Sequence, residues 1–380
     1  MGYPLKVYCD RAYLPERSEH IEMMYPFWGR APVDGPVLEP DVFTRYVECG
    51  RSLFTFCSLA QAEIAVFPTE WPGVGDTRGL FLAQRLSDAA KEAGKPLVVF
   101  ATRDLHQRIP FENAWVFRRD LYRSQRGRFE VAIPVWVDDY LARYEGGRVP
   151  LRPWTPVPTV GFCGYAAPWS LKHRARDAAE RLLGCVGIGP LDPERAPSCA
   201  HLFVGWRMRA AVLRRLTKQK TVKTNFVVRR DYWNGVFEPD GVPDTDKWAV
   251  SRREFLDNMF ESDYVLCIRG SENYSDRVYE TLCCGRIPVV VDTDCVLPFH
   301  EDPEWKRICV WIRPDELDSL AERLLAFHRA LRPEQFGALQ YACRRFWEER
   351  LSPHGYFERF YTHFNKKTDG ATTLACVWES

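Results

Sequence analysis

The sequence predicts an α/β protein of two domains, each a parallel β-sheet with crossover helices. Short β-branched or aromatic runs alternate with amphipathic stretches in both halves, the pattern left by buried strands that are linked through helices. The chain has 380 residues, 46% of them hydrophobic, which is more than one core usually holds. Between Arg148 and Pro158 stands RVPLRPWTPVP, whose four prolines suit neither a helix interior nor a central strand, and this marks a linker. The expected limits are 1–150 for the first domain, 151–350 for the second, and 351–380 for a closing helix and tail.

In the first half, strands are expected at Leu5 to Cys9, Ala62 to Phe67, Pro96 to Ala101, Ala114 to Arg118 and Phe129 to Ala132. A helix from about Gly79 to Ala93 should stop at Gly94-Lys95-Pro96, since glycine takes the left-handed turn and proline cannot continue a helix. After the linker a strand begins at Thr159 and runs into GFCGY, where Gly161 and Gly164 bracket a tight turn or a close approach. Amphipathic stretches follow at Leu171 to Leu183 and Met208 to Leu216, then a strand at Val222 to Val228. A helix from about Arg253 to Glu261 leads to the strand Tyr264 to Ile268, a helix from Ser275 to Cys284 and the strand Ile287 to Asp292. Beyond a strand at Ile308 to Ile312, Leu317, Leu320, Leu324, Phe327 and Leu331 form one apolar stripe. Helical stretches at Pro333 to Arg350 and Tyr356 to Phe364 are long enough to cross back onto the first domain, and Lys366 to Ser380 has little pattern.

The charge balance narrows the partners. With 52 basic and 51 acidic residues the net charge is +1, so no overall field favours nucleic acid, and a small phosphorylated ligand met by a local cluster fits better. The 13 cysteines include no CxxC pair and do not cluster with the eight histidines, which points to reduced, buried thiols in a reducing, cytoplasmic setting. No stretch reaches the roughly 18 apolar residues of a membrane span. No GxGxxG follows the early strands, which disfavours an NAD-dependent oxidoreductase.

Chemistry concentrates in SDYVLCIRGSENYSDRVYETLCCGRIPVVVDTDCVLPF, Ser262 to Phe299. Strand, polar loop, helix and strand make one βαβ unit, and ligands of such sheets sit outside the carboxyl ends of the strands, here at Arg269 to Ser275. A helix N-terminus offers unpaired N–H groups, so Ser275 and the first-turn amides suit a phosphate, with Arg269 and Arg277 adding charge and Gly270 and Asn273 shaping the loop. Glu280, one turn deeper, would repel phosphate and suits a neutral diol such as ribose. Taken singly, Ser275 would be an ordinary cap and Arg277–Glu280 an i,i+3 surface pair. Together in one unit they form a set suited to a phosphate and a neutral diol, to which Gly164, Tyr165 and Arg229 or Arg230 add from neighbouring strand ends. Asp292 and Asp294 spell DTD at the end of the second strand, where turn capping is a more natural use than metal ligation.

At these residues the chain resembles the exostosin family. The resemblance rests on an RG loop, SDRVYE with Ser275, Arg277 and Glu280, GRIPVVVDTD and LPF, with weaker agreement at ENAWVFRRDLYRS (Glu112 to Ser124) and TVGFCGY (Thr159 to Tyr165). It implies a GT-B fold, two Rossmann-like domains facing across a cleft with the C-terminal helix crossing back to the first. It also implies an inverting glycosyltransferase with a nucleotide-sugar donor, UDP-linked by preference, a glycan or other hydroxyl acceptor on the N-terminal domain, and no cofactor or essential metal. A GDP-linked donor, as in fucosyltransferases, and a non-catalytic sugar- or nucleotide-binding module are the alternatives.

An inverting transfer needs a general base for the acceptor hydroxyl. Asp104, near His106 after the apolar strand VVFATR, is the first candidate, with capping of the turn before Ile109-Pro110 as its competing role. Glu70 is the second and Asp76 the third. Trp71, Trp136 and Trp169 are candidates for stacking on sugar rings, with core packing the competing role in a chain of 13 tryptophans.

Overall fold

The computed structural model describes residues 3–30, 42–73, 75–102, 108–166, 199–231, 233–237, 241–270 and 272–365. Asp104, His106, Trp169, the expected helix at 171–183 and the tail after 365 lie outside them. The chain divides into two units, Met1–Val149 with Asp294–Ile308 and Tyr341–Ser380, and Pro150–Thr293 with Cys309–Gln340. Residues 294–308 and 341–350, which fall within the expected second domain, therefore group with the first unit.

The first unit carries a six-stranded, all-parallel sheet: β1 (Leu5–Tyr8), β2 (Phe54–Phe56), β3 (Ile64–Glu70), β4 (Leu97–Ala101), β5 (Ala114–Arg118) and β6 (Glu130–Ala132), in the order β2-β1-β3-β4-β5-β6. Both faces are covered. On one, α1 (Thr77–Glu92) buries Leu82, Ala83, Leu86 and Ala90 against a cluster with Phe67 and Val99. Asp76 starts this helix, its carboxylate accepting the Gly79 N–H at 2.8 Å, and Gly94, at φ +65°, follows its end. Asp76 is thus occupied as a cap. The other face packs against the closing helix. Its Tyr356, Phe357, Phe360 and Phe364 enter the core with Phe54, Val66 and Phe117, and Phe357 stacks on Tyr46 at 4.3 Å. Each such ring contributes about 1.5–3 kcal/mol by leaving water. Trp71 and Trp136 join these cores: Trp71 sits edge-on to Phe111, and Trp136 lies among Phe43, Tyr356 and Phe357.

The second unit has five parallel strands, β7 (Thr159–Tyr165), β8 (Lys223–Arg229), β9 (Tyr264–Cys267), β10 (Ile287–Val291) and β11 (Val310–Ile312), in the order β11-β10-β9-β7-β8. Its helices include α2 (Cys199–Thr217), α3 (Thr245–Phe260), α4 (Asp276–Cys283) and α5 (Leu320–Arg329), and the closing helix of the first unit is α7 (Pro353–Asn365), preceded by α6 (Pro333–Phe346). The proline-rich stretch is tied to this unit. Asp263 takes Arg152 Nε at 2.6 Å and the Thr159 N–H at 2.7 Å, and Trp154 stacks on His328 at 5.3 Å. The architecture is α/β throughout, two parallel sheets with flanking helices, consistent with a two-domain GT-B fold.

Several elements depart from expectation, among them helix α2, which starts at Cys199, nine residues before the expected Met208. The three-residue β2, FTF, is too short to display a period. Helix α3 starts at Thr245, eight residues before the expected Arg253, because Asp244 caps it by accepting the N–H groups of Asp246 and Lys247, both at 3.0 Å, ahead of a turn with no apolar stripe. Seven of the ten cysteines whose side chains are described are buried.

Candidate functional site

In a doubly wound sheet the ligand crevice opens where the strand order reverses, at the carboxyl ends of the two strands whose connections diverge. In the second unit that point lies between β7 and β9. A cavity of about 220 Å³ opens there, lined among others by Gly164, Tyr165, Arg229, Ser275, Arg277 and Glu280. Six of the nine residues expected to hold a donor thus meet at one place.

Ser275 precedes α4 with an extended φ of −135°, yet its side chain makes no capping bond, and it is 8% exposed on the cavity wall. The ordinary-cap role is therefore not the one its hydroxyl plays. Arg277, in the first turn of α4, donates Nη2–H to the Cys163 carbonyl at 2.7 Å and lies 4.7 Å over the Phe162 ring. Its Nε and Nη1 are buried without an acceptor. A Cβ at Gly164 would stand 2.7 Å from Nη2 and push this arginine aside, and the φ of +153° there favours glycine. Gly164, next to last in the strand text GFCGY, leaves room for the guanidinium to cross the strand.

Arg229 donates to the Ser251 carbonyl at 2.6 Å and to Glu254 at 3.1 Å, and its Nε has no acceptor. Arg252 stands 3.5 Å from Glu280 and over the rings of Trp248 and Phe255 at 5.1 and 5.5 Å. Arg209, 7% exposed, joins the ends of the two central strands, donating to the Ile268 carbonyl at 3.0 and 3.2 Å and to the Tyr165 carbonyl at 3.3 Å. The wall is cationic at the strand ends and aromatic at Tyr165, Trp233, Trp248 and Phe255, with Glu280 deeper along α4. Such a surface offers bidentate donors to phosphates, ring faces to a base, and an acceptor to a diol.

Arg269, Gly270 and Asn273 do not line the cavity. Arg269 turns inward, Nη1 donating to Asn273 Oδ1 at 3.0 Å, and Asn273, 1% exposed, also accepts the Thr293 hydroxyl at 2.7 Å. Gly270 lies under α2, where a Cβ on Gly205 would stand 2.1 Å from the Gly270 carbonyl oxygen. These residues shape the loop by packing. Asp294 belongs to the first unit, at φ +68°, its carboxylate accepting the Ser124 N–H at 3.1 Å and the Ser124 hydroxyl. Asp292 donates its N–H to the Ile312 carbonyl at 2.9 Å, extending the sheet, and Arg230 is exposed.

The sequence missed Arg209, Arg252, Trp248 and Trp233. Arg209 stands among Arg207, Arg214 and Arg215 with nothing to single it out. Trp248 lies in the turn of α3 that the pattern left out, and recognising the Asp244 cap would have recovered it.

In the first unit the strand order reverses between β1 and β3, and Glu70 ends β3 at that point. Its carboxylate accepts the Thr102 N–H at 2.8 Å and the Thr102 hydroxyl. Burial raises its pKa above the ordinary carboxylate range, against the Thr102 hydrogen bonds, which lower it.

Fold and site together define the class: an α/β protein of GT-B-like architecture with an anion-suited cavity at a topological switch point. Two rice (Oryza sativa subsp. japonica) proteins are similar to part of the chain. One is the probable glucuronosyltransferase GUT1, 32% identical over 66 residues, and the other a second probable glucuronosyltransferase, 33% identical over 66 residues. Each alignment covers 17% of this chain and 16% of the relative, so the chain matches well under two thirds of either. No family model matches the chain. Among the described residues no helix is long and apolar enough to cross a membrane.

Proposed function

We propose that this protein is a glycosyltransferase that takes its sugar from a nucleoside diphosphate donor, UDP-linked by preference, and transfers it with inversion to a hydroxyl acceptor. The observation that carries the donor half is Arg277. A half-buried guanidinium whose buried Nε and Nη1 lack acceptors is costly unless a ligand completes it, and a diphosphate oxygen beside the first turn of α4 does so. The similarity to probable glucuronosyltransferases supports the same reading.

In this reading Arg277, Ser275 and the α4 amides hold the diphosphate, Arg229 adds charge, and Glu280 accepts from the ribose. The acceptor oxygen bonds to the anomeric carbon as the bond to the diphosphate breaks. The electron pair leaves with the nucleoside diphosphate, whose developing charge the cationic wall stabilises. The acceptor proton goes to a carboxylate of the first unit, Glu70 being the described candidate and Asp104 the other. No metal is required in this scheme.

Thermal shift with UDP, GDP, TDP and CMP tests the binding half. Stabilisation by mass action is expected for UDP, GDP stabilising instead points to a GDP-linked donor, and no response to any of them refutes the site. Release of UDP from UDP-glucuronic acid and other UDP-sugars then separates a transferase from a binding module.

A further inference from the structure

Glu70 is reached through an irregular stretch of β3. Against β4, Val66 pairs with Val98 and Glu70 with Phe100, so a longer run of β3 spans a shorter run of β4. Bulges of this kind re-aim a side chain. The extra residues are braced from outside the sheet: the Ile21 N–H donates to the Pro68 carbonyl at 3.0 Å, Thr69 bridges His20, and the Thr69 hydroxyl donates to the Glu19 carbonyl at 2.7 Å. The backbone at Glu70 is therefore fixed in a position that regular pairing would not give.

One residue then holds the carboxylate at both oxygens. Thr102, 8% exposed and the first residue past β4, donates its N–H to Oε2 at 2.8 Å and its hydroxyl to Oε1. Tying two strand ends needs one such bond. Two bonds from a single residue to different oxygens also fix the plane of the carboxylate, and each oxygen keeps a second lone pair. The charged groups facing Glu70 are Glu22, from the short helix Glu22–Met24, and Arg119, just past β5. They act with opposite sign, while burial, the largest influence, raises the Glu70 pKa and the Thr102 donors oppose it.

We propose that Thr102 is a positioning residue for the transfer: it clamps both oxygens of Glu70 and orients the carboxylate, so that a free lone pair takes the acceptor proton. This rests on the reading of Glu70 as the base.

The test uses the full chain with Thr102→Val and Thr102→Ser, and Thr102→Ala as a smaller second deletion of the hydroxyl. The Glu70 carboxyl titration is read by ¹³C NMR on glutamate-labelled protein, assigned with Glu70→Gln, beside the pH profile of UDP release from UDP-glucuronic acid. Loss of a donor to the charged form raises the midpoint, by about one to two pH units in Thr102→Val and Thr102→Ala, with the acid limb of the rate profile following. Thr102→Ser keeps the wild-type midpoint. An unmoved midpoint in the valine and alanine variants overturns the proposal, whatever their melting temperatures. A moved midpoint with full turnover by Glu70→Gln overturns instead the base assignment beneath it.

Discussion

Replacing Arg277 with alanine removes the group on which the donor reading turns. In the free protein Nη2 is committed to the Cys163 carbonyl at 2.7 Å, while Nε and Nη1 are buried with no acceptor. A bound diphosphate gains two charge-assisted hydrogen bonds there, and at about 1.5 kcal/mol each their loss weakens binding by roughly 100-fold. Arg277→Lys keeps the charge but not the planar fork, so it should recover only part of that loss. The substitution also removes packing over Phe162 at 4.7 Å and Phe255 at 5.8 Å, so circular dichroism must show the variant folded at the assay temperature. Isothermal titration with UDP measures the effect. If folded Arg277→Ala binds UDP with wild-type affinity, the phosphate is held elsewhere and the site is misplaced.

Three further outcomes follow from the same geometry. Gly164→Ala places a Cβ 2.7 Å from Arg277 Nη2, so it should push the guanidinium aside and weaken UDP binding while changing no polar group, again read by titration calorimetry. Glu280→Gln should erase most of the preference for UDP over 2′-deoxy-UDP, a loss of about 10-fold if one charge-assisted bond to the ribose is at stake; an undiminished preference would remove Glu280 from the ribose site. Burial raises the folded pKa of Glu70, so the stability linked to its protonated form is full at acid pH and is lost as pH rises through the folded value. Glu70→Gln should therefore melt higher than the wild type near neutral pH, with the gap closing in acid, and should lower turnover by about 10²- to 10⁴-fold if it is the base. Equal melting at all pH values would contradict the burial account.

Much of this was legible because the physics is local. The helix stop at Gly94 and the one-turn spacing of Arg277 and Glu280 each depend on neighbours within a few residues. So does the strand Ala114–Arg118, whose five residues are all buried. Long-range packing decided what those signals could not. Arg269 has the right chemistry in the right loop, yet Asn273, itself held by Thr293, draws it inward. Gly270 looks like room for a ligand and is instead room for α2. Arg209 becomes a joint between β7 and β9 only once those strands lie side by side.

The amino-acid sequence by itself determined the α/β class, the alternation of strands and helices, and the placing of Ser275 just before, and Arg277 and Glu280 on, one short helix, since hydrophobic period and helical spacing are written in consecutive residues. Only the tertiary structure decided that β7 and β9 are neighbours, that Gly164 must make way for Arg277, and that Glu70 is clamped by Thr102. Those are contacts between residues tens to more than a hundred positions apart, and no local pattern encodes the register that brings them together.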